Sequence, residues 1–504
     1  MTQGRKFQYA VTVALIVAYV ALRLWRLTDT CLWFDEIFSV HAAEHPWNSI
    51  LNFVALDLIH PPLFYVLLKF WISVGGESLF WLRLLPVIFS IVAIVPFISL
   101  CRELKLTFWT QALAFFLLAV NGSLIKYAQE VRMYSLLMCL SVFSMWLFVR
   151  YFYRGKNFIA LVIVNVLLVY THYFGWFAIA SEVVAILIFQ RIKWRRIAAM
   201  FGIVAASFLP WMICVWQAAR SGSELGQNIG WMSRPDVREI GFFIFDLIEP
   251  FYSQAATSEP ASIYRVSVPI CLIVIISWIA YLFGWKNRTD DERRTIWLLL
   301  IFIKLPIIFA FIASWLLPYS IWGTRHLIII FAPLTILIVI GVANIPVQWL
   351  RIASITLLLL FSGYAIGLQT GRRQFHSWCG VEPLVTEALQ TERLNIYTTE
   401  DLFAYHAWFA GRNSLDENAK VIKLNALDVS AEDRAFFLPR GFDGVEHVKL
   451  AEIRDQKLWL LYRAGGFLPD DPPIRHFTVA GYHVKSNKVV VMRDASAVLV
   501  LLQR

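Results

Sequence analysis

The chain has 504 residues, a formal net charge of +10 and 59% hydrophobic residues, with a mean hydropathy of +0.62. That apolar load is far above what a soluble globular chain carries and points to a polytopic membrane protein. In such a chain the Lys and Arg residues set orientation at the cytoplasmic surface, so the charge is no sign of a nucleic-acid partner. Six cysteines show no CxxC or metal spacing, and most fall in apolar stretches where a thiol acts as a small hydrophobe. A Cys31–Cys379 bridge is open but is not the expectation.

Taken in chain order, Arg5 and Lys6 precede an apolar run from Tyr9 to Trp25 with no small-residue cleavage site, which reads as a retained signal-anchor helix. CLWFDEIFSV (31–40) follows, with two adjacent acids, Asp35 and Glu36, among aromatic and branched apolar residues. The next stretch mixes apolar positions with His41, Glu44, His45 and Asp57 in the manner of helices lying on a membrane. Pro61 and Pro62 push His60 out of helical geometry. PLFYVLLKFWISV (62–74) is short and carries Lys69, so it reads as an interfacial or re-entrant helix.

Spanning helices need roughly 20 mostly apolar residues. Such runs begin near Leu82, Phe108, Tyr134, Phe158, Phe174, Ala198, Ile263, Thr295, Arg325 and Arg351. The expected fold is an all-α polytopic membrane domain over residues 1–371, with about eleven transmembrane helices and interfacial helices in the first external loop. A small soluble α/β domain over 372–504 follows, where the alternation in KLWLLYR and HFTVAGYHVKSNKVVVMR reads as strands.

If 62–74 is not a span, Arg102 and Lys105, Arg154 and Lys156, RIKWRR (191–196) and KNRTDDERR (286–294) all fall in the cytoplasm, as the positive-inside rule asks. The other side then collects CLWFDEIFSV, HPPLFY, YAQEVRMYS, THYFGW, a long loop near 217–262, PYSIWGTRH and the C-terminal domain. The expectation is a multi-pass protein of the plasma (inner) membrane, its amino terminus cytoplasmic and its polar motifs extracytoplasmic.

Two neighbouring acids at a membrane surface repel, and partial burial raises one pKa further, so one of them can accept a proton near neutral pH. The alternative is a helix start, where an acid favours the amino-terminal dipole. Arg132, at the external end of a span, has a guanidinium suited to phosphate oxygens, unless it is an interfacial arginine reaching for water. At 3.6 residues per turn, Glu130 and Arg132 point roughly 200° apart, so both face one cavity only if the helix breaks between them. Arg325, beside His326, is a second phosphate candidate and Arg83 a third. His60, and His172 with Tyr173, can position a substrate or a metal, although aromatic belts at membrane interfaces bring the same residue types.

The order WFDE, HPPLFYVLLKFW, RLLP, YAQEVRMYSLL, YTHYFG and a late RH entering a Pro-containing helix resembles the GT-C membrane glycosyltransferases. Within them it is most similar to the bacterial relatives of protein O-mannosyltransferases and of the lipid A aminoarabinose transferase, over roughly Met1 to Ile340. The resemblance implies inverting transfer of a hexose or pentose from a polyprenyl-phosphate donor to an acceptor hydroxyl on a glycan, lipid or protein, at the extracytoplasmic face.

It makes Asp35 the catalytic base, with Glu36 in support. Around them the substrate-binding candidates are His60, Arg83, Glu130, Arg132, Tyr134, His172, Tyr173 and Arg325. Relatives usually carry an acid two residues before His-Pro-Pro. Here that place is Leu58 and the acid is Asp57, which is left outside the catalytic set. Some relatives hold a divalent metal and others need none, so no metal ligand or cofactor is assigned. A secondary transporter would gather its ionisable residues and broken helices near the bilayer midplane, often in two related halves, whereas here the polar motifs sit at one surface and no halves match. A catalytically silent scaffold would not need acids and arginines gathered at one face.

Overall fold

A computed structural model describes residues 3–189, 194–222, 229–230, 232–241, 261–283, 285–323, 325–371, 376–425, 438–440 and 442–504. Part of RIKWRR, most of the long loop near 217–262 and the expected domain boundary at 372 lie outside the described residues. Two compact units form. One comprises Met1–Leu27, Pro46–Gly222 and Met232–Arg373, the other Thr28–His45, Ser223–Trp231 and Gln374–Arg504.

Helices in chain order are α1 (Gln3–Leu24), α2 (Phe34–Glu44), α3 (Ile50–Asp57), α4 (Leu63–Gly75), α5 (Leu79–Val92), α6 (Ile94–Glu103), α7 (Phe108–Val120), α8 (Gly122–Ala128), α9 (Tyr134–Arg154), α10 (Phe158–Thr171), α11 (Gly175–Phe189) and α12 (Trp194–Arg220). Helices Ala261–Phe283, Asp290–Leu316, Phe331–Ala343 and Gln348–Gly371 complete the first unit, so a helix stands at each expected apolar run.

Among the described residues, six helices are long and apolar enough to cross a membrane, or seven if α7 and α8, bent by 58°, make one crossing. Helices α10 and α11 have 14 and 15 residues, rising about 21–23 Å at 1.5 Å per residue. That falls short of a hydrocarbon core about 30 Å thick. They are short because residues 172–174 leave the helix to make a corner. Helix α4, with 13 residues, is likewise below spanning length.

Lipid tails are as apolar as leucine, so packing and polar links must hold the helices together. Helix α9 is buried along nearly its whole length, which explains a sequence that is apolar almost all round. Ser144 on α9 donates to Glu182 on α11 at 2.5 Å, and Asn165 on α10 donates to the same carboxyl at 2.7 Å. At the end of α1, the buried Arg23 donates to Ser90 Oγ at 2.7 Å and to the Ala119 carbonyl at 3.1 Å. Gln129 Nε2 donates to the carbonyls of Arg23 and Trp25, both at 2.9 Å. Those bonds satisfy carbonyls that the end of α1 leaves over, and they pin the first of five non-helical residues, 129–133.

The second unit is built on a six-stranded sheet of β1 (Ile396–Thr398), β2 (Val421–Asn425), β3 (Val445–Lys449), β4 (Lys457–Ala464), β5 (His483–Val491) and β6 (Ser496–Gln503). The order is β3-β2-β1-β4-β6-β5, the first four mutually parallel and β6 antiparallel to both neighbours. Helices Val381–Thr391 and Asp401–Gly411 bury Leu384, Val385, Phe403 and Ala407 against Val421, Leu461 and Leu499. Helix Pro472–Val479 covers the other face with Ile474 and Phe477.

That last helix corrects the reading of HFTV as strand. Prolines at its first two positions pre-set the helical φ, and Ile474 and Phe477, three apart, share a face. A second correction is covalent, because Cys31 and Cys379 form a disulfide. It joins Thr28–His45 to the sheet, where α2 packs on the helix Asp401–Gly411. His41 Nδ1 lies 3.0 Å from the Tyr405 hydroxyl, and Arg412 Nε donates to Glu44 at 3.0 Å.

Candidate functional site

In the first unit the site starts from a left-handed residue. Leu58 (φ 61°) ends α3, its N–H bonded to the Ala55 carbonyl, and the chain turns through His60 into Pro61–Pro62 and α4. The turn brings Asp57 back, so that His60 Nδ1 donates to its carboxylate at 3.3 Å. The other ring nitrogen, Nε2, faces Arg132 Nη2 at 3.4 Å, and Arg132 Nη1 donates to the Tyr65 hydroxyl at 3.5 Å.

Arg132 is there because the helix breaks. Residues 129–133 separate α8 from α9, the Arg132 N–H donates to the Glu130 carbonyl at 2.7 Å, and both side chains are buried. The angular conflict between them is therefore relieved by the backbone. Glu130 turns toward Lys126 at 3.8 Å.

His172 stands at the corner between α10 and α11, in extended conformation (φ −160°). Its Nδ1 accepts the Phe174 backbone N–H at 3.1 Å, so the neutral ring carries its proton on Nε2. That Nε2 is buried and has no hydrogen-bond partner among the described residues. Gly175 closes the corner, where a Cβ would lie 2.8 Å from the Leu168 carbonyl oxygen.

The His172 ring centroid is 5.5 Å from that of His60, 5.4 Å from that of His326 and 6.3 Å from that of Tyr134 at the start of α9. His326 Nδ1 lies 3.1 Å from the Ile321 carbonyl, which makes Nδ1 the donor. Tyr173 accepts from Trp211 Nε1 at 3.2 Å.

Burial holds His60 well below the usual 6.5, and the charges of Arg132 and Arg325 push the same way. His172 is held down by burial, then by His326 and His60, then by the same two arginines. Both rings are neutral at physiological pH, each with one donor and one acceptor. The cluster can therefore present guanidinium charge and an N–H to an oxyanion, the arrangement that suits phosphate.

In the second unit, Glu36 is buried and its carboxylate accepts the Trp33 N–H at 3.1 Å, closing the start of α2. Asp35 is one residue earlier, about 100° round the helix, and half-buried. The adjacent acids thus differ, with Glu36 holding the helix start.

His60, Arg132, Tyr134 and His172 come together in the first unit, joined by Asp57, Tyr65 and His326, with Arg325 near enough for its charge to act on His60 and His172. Arg83 is buried and donates to the Leu27 carbonyl at 2.9 Å. Asp57, outside the sequence-predicted set because of its register, reaches His60 three residues on through the turn at Leu58. Tyr65 lies within the quoted HPPLFY, and its signal was that proximity alone. Among the described residues, no three His, Cys, Asp or Glu side chains form a group able to hold a metal ion.

No family model and no curated protein matches the chain. Among solved structures, it is similar to ArnT from Cupriavidus metallidurans bound to undecaprenyl phosphate, at 12% identity and a TM-score of 0.58, covering 97% of each chain. It is also similar to ArnT from the same organism in the apo state, at 11% identity and a TM-score of 0.52, over 99% of this chain and 98% of that one. The oligosaccharyltransferase AglB from Archaeoglobus fulgidus, in complex with an inhibitory peptide and a dolichol-phosphate, has 12% identity and a TM-score of 0.49, over 81% of this chain and 64% of its own. The two ArnT likenesses show the fold, which is GT-C, a polytopic helical membrane domain followed by a small α/β domain.

Proposed function

We propose that this GT-C chain is a glycosyltransferase that moves a sugar from a polyprenyl-phosphate carrier to an acceptor hydroxyl at the extracytoplasmic face of a membrane. One observation carries the reading. Around the buried His60, Arg132 and His172, with the half-buried Arg325 beside them, a cluster carrying two guanidinium charges keeps an N–H donor, His172 Nε2, without a protein acceptor among the described residues. An anion supplies what that cluster lacks. The ArnT structure bound to undecaprenyl phosphate supports a lipid phosphate as the anion.

The chemistry then needs a base and a charge sink. Asp35 takes the proton of the acceptor hydroxyl, and its oxygen attacks the anomeric carbon as the bond from that carbon to the phosphate oxygen breaks, which inverts the centre. Charge grows on the departing phosphate, where Arg132 and Arg325 neutralise it and His172 donates a hydrogen bond. Tyr134, whose ring lies 6.3 Å from that of His172, and Tyr173, the next residue after His172, hold the sugar. The Cys31–Cys379 bridge supports the extracytoplasmic assignment, because disulfides persist in oxidising compartments.

The test is turnover of a panel of polyprenyl-phosphate hexoses and pentoses by the purified protein in lipid, offered glycan, lipid and protein acceptors and read by mass spectrometry. Asp35→Asn in folded protein is expected to cost about 10²–10⁴ in rate, the range for a positioned base. Equal turnover would remove Asp35 from the chemistry. No turnover of any donor by the unmodified chain would favour a binding or scaffold role.

A further inference from the structure

We infer that Asp57 is a positioning residue, which sets the tautomer of His60 so that His60 holds the Arg132 guanidinium in place. The role assigned to Arg132 rests on the lipid-phosphate reading above, whereas the tautomer itself does not.

The geometry is a three-member chain. The Asp57 carboxylate is 3.3 Å from His60 Nδ1, and His60 Nε2 is 3.4 Å from Arg132 Nη2. A carboxylate only accepts and a guanidinium only donates. A neutral imidazole satisfies both neighbours in one way alone, with its proton on Nδ1 and its lone pair on Nε2 toward Arg132. The other tautomer would set N–H against N–H at the arginine and a lone pair against the carboxylate. Burial and the nearby arginine charges keep His60 neutral, so the tautomer is the variable left to fix.

Asp57 reaches His60 because Leu58 takes a left-handed conformation (φ 61°), unusual for a residue with a branched side chain. Leu58 turns the chain at the end of α3, so that His60, held out of helical geometry by Pro61, comes back to the Asp57 carboxylate three residues behind it. A second contact, from Arg132 to the Tyr65 hydroxyl, holds the guanidinium's other arm, so His60 and Tyr65 together orient its plane. The role parallels the carboxylates that orient ligating histidines through their second nitrogen.

The experiment uses the full chain in lipid nanodiscs, with undecaprenyl phosphate as the probe and nitrogen-15 histidine labelling to read the ring, His60→Gln supplying the assignment. In the unmodified chain His60 is expected to show a protonated Nδ1 and a bare Nε2. Asp57→Ala is expected to move His60 toward the other tautomer and to weaken binding of the probe about tenfold, the scale of one lost hydrogen bond to a charged group.

Asp57→Asn keeps a carbonyl that can accept from Nδ1, so it should hold the tautomer and keep the affinity within about threefold. An unchanged tautomer in Asp57→Ala would overturn the inference, as would Asp57→Asn losing the Nδ1–H form. Because Asp57→Asn is read separately, failure of Asp57→Ala to fold does not remove the test. If the unmodified chain binds no undecaprenyl phosphate yet the tautomer shifts as expected, the lipid-phosphate reading falls and the positioning of His60 by Asp57 stands.

Discussion

His60 and His172 are neutral rings with their protons on opposite nitrogens, each chosen by a neighbour that can only donate or only accept. His60 and Arg132 were legible as candidates through HPPLFY and YAQEVRMYS taken together with the other motifs, since a His before Pro-Pro or an Arg at the end of an apolar run is by itself more often a local or interfacial residue. Asp57 was legible as the acid beside His-Pro-Pro, but its pairing with His60 was not, because the chain between them turns on a backbone dihedral that a leucine rarely adopts. The same scale governs pH behaviour in the second unit. Burial, with His45 and Arg412 adding to it, pushes His41 down to about 3, and burial pushes His406 down to about 4. Folded values below the unfolded 6.5 mean that the unfolded chain takes up protons first, so this stability is whole above about pH 6.5 and is lost as pH falls toward 4. The melting temperature of the full chain should therefore drop from pH 7 to pH 5, and less steeply in His406→Gln. A flat profile in the unmodified chain would contradict this.

Among elements, the corner between α10 and α11 carries the most consequence, because it frees the Phe174 N–H that His172 Nδ1 accepts. Gly175→Ala would bring a methyl group to 2.8 Å from the Leu168 carbonyl oxygen, and a carbonyl in a helix cannot step aside. The expected cost is about 1–3 kcal/mol of stability, together with weaker binding of undecaprenyl phosphate. Gly202→Ala in α12, where a Cβ meets nothing within 4 Å, serves as the control and should bind undecaprenyl phosphate like the unmodified chain while being no less stable. Apolar run length made the helices legible. The break at 129–133 was legible only as a condition, because no glycine or proline marks it. What holds it open is tertiary, through the bonds of Gln129 to the end of α1. The first-turn prolines of Pro472–Val479 were in plain view, yet the strand-like alternation that follows masked them.

For the whole molecule, the disulfide joins residues 348 apart and places the Asp35 helix with the C-terminal sheet rather than with its sequence neighbours. Cys379→Ser should lower the stability of that unit by about 2–5 kcal/mol. Denatured but unreduced chain should take up four maleimide labels, on Cys101, Cys139, Cys214 and Cys271, and six after reduction. Six labels before reduction would mean that the bridge does not form, and the extracytoplasmic assignment would lose its support. The sequence by itself determined the class of protein, the apolar helices, the polar motifs and the presence of an α/β domain, because these follow from composition and local periodicity. Tertiary structure alone decided the membership of Thr28–His45, the pairing of Cys31 with Cys379, the break that lets Glu130 and Arg132 both be buried, and the reach of Asp57 to His60. Each of these depends on backbone dihedrals or on contacts far apart in the chain, and neither leaves a period or a spacing to read.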